Sequence, residues 1–120
     1  MPEPTPTSNL IEMSENQPQV LVAQKLPSSY AQIFVGEANT TTVILTITLD
    51  NTSASTRTVQ LFLGKDEGGS ARVAYIELAP NESCVVEELM GAGLQPGDYI
   101  GGHASAASAV DIAITGSVSK

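Results

Sequence analysis

The side chains in this chain that could do chemistry are few and widely spaced. Its single histidine, His103, lies in Gly101-Gly102-His103-Ala104-Ser105, with Ser108 a little further on. A serine nucleophile needs a base within hydrogen-bond reach. Serines two and five residues along a strand do not meet that need by spacing, and no Gly-x-Ser-x-Gly elbow occurs. His103 therefore reads as a surface or turn histidine. Glu87-Glu88 is the densest acidic pair; in a strand over Ser83–Leu89 the two would point to opposite faces and could not share a proton or a metal. Asp66-Glu67-Gly68-Gly69 lacks the alternating acids of a calcium loop and reads as an acidic turn. Gly91-Ala92-Gly93 lacks the third glycine and the helix of a nucleotide fingerprint. Cys84 reads as a small core or near-core residue. The expectation is a chain that is not an enzyme, with no catalytic, cofactor-binding or metal-ligating residue and no cofactor.

Composition narrows the classes further. At 120 residues the chain is one domain, and 13 acids against 5 bases give a net charge of −8. Five bases cannot neutralise a run of phosphates, so nucleic acid is not an expected partner. Anionic lipid headgroups would repel the acidic surface, and no apolar run approaches the roughly 20 residues that span a bilayer, so no membrane partner is expected. One Cys and one His cannot build a disulfide framework or a Cys/His zinc site. Met1-Pro2-Glu3-Pro4 has neither the basic nor the apolar region of a secretory signal, which points to synthesis and folding in a cytoplasm. The Asn-x-Ser/Thr triplets at Asn39, Asn51 and Asn81 are then turn residues and not glycan acceptors.

The remaining elements must be strands. Ser and Thr together make 23 of 120 residues, which favours strands and turns over helices. In Thr42–Asp50, Val43, Leu45, Ile47 and Leu49 alternate with Thr42, Thr46, Thr48 and Asp50, as in a strand with one buried face. Arg57–Gly64 alternates likewise, with Val59, Leu61 and Leu63 inward, and Ala109–Val118 places Val110, Ile112 and Ile114 on one face. Further strands fit Val20–Lys25, Tyr30–Val35, Ala71–Leu78, Ser83–Leu89 and Asp98–Ala104. Ala79-Pro80-Asn81-Glu82 and Gln95-Pro96-Gly97-Asp98 are turns. Strands about every ten residues, without a long helix, predict an all-β fold: an antiparallel β-sandwich, immunoglobulin-like or jelly-roll, over residues 20–120. The expected core is Val43, Leu45, Ile47, Val59, Leu61, Leu63, Ile112 and Ile114, so Leu45→Asp should unfold the domain and Thr46→Asp should be tolerated.

Residues 1–19 form an N-terminal arm with four of the seven prolines and no base. Within it Leu10, Ile11 and Met13, flanked by Asn9 and Glu12, make either a one-turn capped helix or an extended docking peptide, and they are the expected partner-binding residues.

Several segments taken together carry a resemblance: Leu21–Lys25, Asn51-Thr52-Ser53, Arg57-Thr58-Val59-Gln60-Leu61, Leu78-Ala79-Pro80-Asn81-Glu82, Leu94-Gln95-Pro96-Gly97-Asp98-Tyr99-Ile100 and Ile114-Thr115-Gly116. They resemble the small β-sandwich structural proteins of tailed-bacteriophage virions: head decoration, cement or tail-associated proteins. The resemblance spans the chain outside the arm and brings no catalytic residues with it. It implies a virion protein that decorates or cements the capsid. The implied partners are the major capsid protein or another virion protein, and copies of itself as a homotrimer. The alternative is a tail- or fibre-associated receptor-binding module that takes a glycan. That alternative would draw on Tyr30, Phe34, Phe62, Tyr75 and Tyr99, of which a sandwich core is expected to claim several.

Overall fold

Runs of β-branched residues between Pro, Gly and Asn turns form strands almost throughout. The structure, a computed structural model, describes residues 17–65 and 68–120. Its elements are β1 (Gln19–Lys25), β2 (Ala31–Val35), β3 (Thr41–Asn51), β4 (Arg57–Lys65), β5 (Gly69–Leu78), β6 (Ser83–Val85), a 3₁₀ turn (Glu87–Leu89), β7 (Gly93–Leu94), β8 (Tyr99–Ala104) and β9 (Val110–Ser119). The arm residues Leu10, Ile11 and Met13, and the acidic pair Asp66-Glu67, lie outside the described residues.

Two antiparallel sheets pack face to face. The first has the order β1-β9-β3-β6, with β7 also on β3; the second has the order β2-β8-β4-β5. The chain changes sheet at most connections and stays in one sheet at the β4–β5 hairpin and between β6 and β7, which both pair with β3. That is the jelly-roll order, which decides between the two sandwich topologies left open by the strand pattern. The turns take the expected form. The Asp98 N–H donates to the Gln95 carbonyl at 3.0 Å across Pro96-Gly97, and the Glu82 N–H donates to the Ala79 carbonyl at 3.0 Å. Asn39 and Asn81 adopt positive φ, 65° and 61°, as turn asparagines do.

The core is aliphatic. Ile44, Ile47, Leu49, Val59, Leu61, Ile100, Val110, Ile112 and Ile114 meet between the sheets, with Leu26, Leu78, Leu89 and Leu94 closing the ends. Five of the expected core residues are fully buried: Ile47, Val59, Leu61, Ile112 and Ile114. Leu63 is half-buried against them. Val43 and Leu45 require correction. Between Ile44 and Thr46 the ladder with β9 slips, leaving Leu45 without a partner residue. This β-bulge switches the inward parity of the strand. Thr42 and Ile44 point inward before the bulge and Ile47, Leu49 and Asn51 after it, so Val43 is 36% exposed. Leu45 is half-buried but is not packed against the core. Thr46 faces outward, where its hydroxyl hydrogen-bonds that of Thr115 at 2.6 Å. Gly116, opposite Ile44, makes the close approach possible, since a Cβ there would lie 2.5 Å from the Val43 carbonyl oxygen. The expected strand over Ser83–Leu89 is also shorter than read: pairing with β3 ends at Val85, and Glu87-Glu88-Leu89 turn into 3₁₀ geometry so that Leu89 can enter the core.

Candidate functional site

None of the aromatic side chains is fully buried, contrary to the expectation that the core would claim several; Phe34 alone is half-buried against it. The others gather on the outer face of the second sheet. Inward Leu61 on β4 fixes Gln60, Phe62 and Gly64 outward, and inward Ile100 and Ala104 on β8 fix Tyr99, Gly101 and His103 outward. A bulge at Val73 in β5 brings Arg72 opposite Phe62 and Tyr75 opposite Gln60. Tyr30, just before β2, completes the cluster.

The rings are arranged by two glycines. A Cβ on Gly64 would lie 2.2 Å from Cζ of Tyr99, and one on Gly101 would lie 2.8 Å from Cζ of Tyr30, so each tyrosine lies flat across a bare stretch of the neighbouring strand. Cross-strand cover of a glycine by an aromatic ring stabilises a sheet. Phe62 sits between these two sites. Its ring is nearly parallel to His103, with centroids 6.1 Å apart and planes at 24°, while Tyr30 stands against it edge-on at 5.1 Å and 85°. Because Tyr30 lies flat on Gly101, Phe62 at 85° to it and His103 stacked on Phe62 stand upright from the sheet, so Tyr30 is a floor and the Phe62–His103 pair a wall beside it. Arg72 lies 5.1 Å from the centre of the Tyr75 ring and donates to Gln60 Oε1 at 3.3 Å, which ties the polar margin together. The Tyr99 hydroxyl titrates above its ordinary range, chiefly because of its hydrogen bond with Tyr30 and also through partial desolvation, with a hydrogen bond to Ser70 opposing. Tyr30 and Tyr75 remain 45% and 57% exposed. The alternation of Tyr99, Gly101 and His103 against Ile100, Gly102 and Ala104 was the sequence signal for this face.

The other candidates do not assemble. Ser105 is engaged with β4: its Oγ accepts from the Thr58 N–H at 3.1 Å, and its own N–H donates to the Thr58 carbonyl at 2.9 Å. Ser108 occupies a turn with φ 61°. Cys84 lies half-buried beside Glu87 and Glu88 along a shallow recess that includes Ile76. Burial first, then the charges of Glu82 and Glu88, push its thiol pKa up, which favours the thiol over the reactive thiolate. Among the described residues no group of three or more His, Cys, Asp or Glu side chains is placed to hold a metal ion.

Asn51 has a structural role that its reading as a turn residue missed. It is fully buried. Its Nδ2 donates to the carbonyls of Ser55, Leu78 and Ala79 at 2.9, 3.1 and 3.0 Å, and its Oδ1 accepts from the Ser53 N–H and hydroxyl at 3.0 and 2.7 Å. No protein-family model matches the chain, and comparison with curated proteins and with solved structures likewise finds no match.

Proposed function

We propose that this chain is a non-enzymatic structural protein of a tailed-phage virion, assembled in the host cytoplasm, which decorates or cements the capsid through its arm and sandwich surface. The observation that carries this reading is the jelly-roll strand order, an architecture used by viral capsid and lectin domains. Self-association as a homotrimer fits the free edges of the sandwich. Among the described residues β1 pairs with β9 alone and β2 with β8 alone, and Val20 and Val35 on these strands are 66% and 43% exposed. Exposed strand edges with apolar side chains are natural sites for pairing with another chain.

The test is particle composition. Particles purified from the encoding genome should carry the protein over the head surface. A chain beginning at Pro18 should keep the melting temperature of the full chain while leaving particles bare. Placement at the tail or fibres would refute the capsid assignment in favour of a receptor-binding module. Full occupancy by the truncated chain would refute the role of Leu10, Ile11 and Met13.

A further inference from the structure

We infer that the outer face of the second sheet is a carbohydrate-binding platform for an uncharged oligosaccharide, with the Tyr30 ring as its floor, the upright Phe62 and His103 rings as its wall and Gln60, Arg72 and Tyr75 as its margin. This goes beyond capsid attachment and holds wherever the protein sits on a particle.

The first argument is ring geometry. An aromatic ring carries partial negative charge on its face, and the C–H bonds on one side of a pyranose present the matching partial positive charge. A sugar needs a flat, exposed aromatic surface to use that match. Tyr30, flat across Gly101 and 45% exposed, provides one, and Phe62 at 85° to it, with His103 stacked on Phe62, borders it. The second argument is hydrogen bonding. Arg72 spends one donor on Gln60 Oε1, and the guanidinium keeps further N–H donors for ring hydroxyls.

Charge and area then select the occupant. In a protein of net charge −8, the strands β2, β4, β5 and β8 contain one carboxylate, Glu77, and the outward face holds one arginine, Arg72. That balance suits an uncharged polyhydroxyl ligand and offers little to a polyanion or a polycation. Four strands at their usual spacing and rise make a face of about 15 Å by 20 Å, roughly 300 Å². A stable protein interface takes about 800 Å² from each partner. The face is large enough for a short glycan, whereas a second copy would have to reach beyond it to the surrounding surface.

The experiment is an amide-resonance titration of the full chain with maltohexaose, cellohexaose and hexa-N-acetylchitohexaose, with hexagalacturonate as the charged comparison. At least one neutral probe should produce saturable shifts at Gln60, Phe62, Gly101 and His103, with affinity unchanged between low and high salt. Tyr75→Ala and Tyr30→Ala should each weaken that binding, to about tenfold for a ring in full contact, the factor equivalent to about 1.4 kcal/mol. Tyr75 is exposed, so the melting temperature of its variant should match the parent and separate lost binding from lost folding. Absence of saturable shifts with every neutral probe at millimolar concentration overturns the proposal. Shifts confined to other surfaces, or salt-sensitive binding of hexagalacturonate alone, overturn it equally. Because the titration uses isolated protein, its failure leaves the capsid assignment untouched, and bare particles leave the platform untouched.

Discussion

Replacing Asn51 tests how the two sheets are tied together at one end of the sandwich. Its amide group spans β3, the Ser53–Ser55 turn and the end of β5, through three carbonyl acceptors and two donors from Ser53. The two amide hydrogens serve three carbonyls, so the set is equivalent to three or four ordinary bonds. At about 1 kcal/mol net each, Asn51→Ala should cost about 3–4 kcal/mol. That is a large part of the roughly 5–15 kcal/mol that holds a domain together, and it should lower Tm by about 12–16 °C. Asn51→Asp keeps the acceptor for Ser53 but sets a buried carboxylate against three carbonyl oxygens, so at pH 7 it should be worse than alanine. Burial and carbonyl repulsion raise the folded-state pKa of that carboxyl above its ordinary value of about 3.9. The variant is therefore closest to wild type at low pH and loses stability as pH rises through the folded-state value. Urea unfolding followed by far-ultraviolet circular dichroism at pH 4.5 and 7, with wild type at each pH, measures both effects. A cost below about 1 kcal/mol for alanine, against the expected 3–4, would refute the reasoning. So would an aspartate variant as stable at pH 7 as the alanine one.

The bulge in β3 predicts that Ile44→Ala costs about 2–5 kcal/mol, whereas Val43→Ala and Leu45→Asp leave the domain folded; urea midpoints in the reverse order would place the bulge elsewhere. Gly64→Ala should push the Tyr99 ring off its site, break its bond with Tyr30 and bring the phenol pKa down toward the ordinary 10.0, read by ultraviolet titration; an unchanged titration would mean that the ring does not depend on the glycine. Cys84 should react slowly with a disulfide reagent at pH 8 and faster as pH climbs beyond the ordinary 9.0, with urea abolishing the difference. Because its folded-state pKa is raised, its contribution to stability is complete below the unfolded-state value and is lost as pH rises through the folded one. Equal rates in buffer and urea at pH 8 would contradict that burial.

Local alternation and turn chemistry made most of the strands legible from sequence. Val59 and Leu61 in β4, and Ile112 and Ile114 in β9, share a face because successive side chains must oppose one another. Pro96-Gly97 and Asn81 mark turns because they preset φ. Everything that depended on a neighbouring strand required the tertiary structure. The jelly-roll order arises from pairings such as β1 with β9, whose partners stand more than eighty residues apart along the chain, and local alternation carries no information about which strands pair. The bulge at Leu45 lies beside Gly116, on another strand, so the run from Val43 to Leu49 looked uninterrupted by itself. Asn51 has the composition of a turn residue, and only the Ser53–Ser55 turn and the end of β5 closing around it made it a buried anchor. The aromatic face has the same origin. Alternation ordered Tyr99, Gly101 and His103 within β8, but whether their rings met others depended on the register of β4 against β8 and on the Val73 bulge in β5. Periodicity relates residues within one strand; a surface is made by several strands, and their relative register is set by the packing of the whole core.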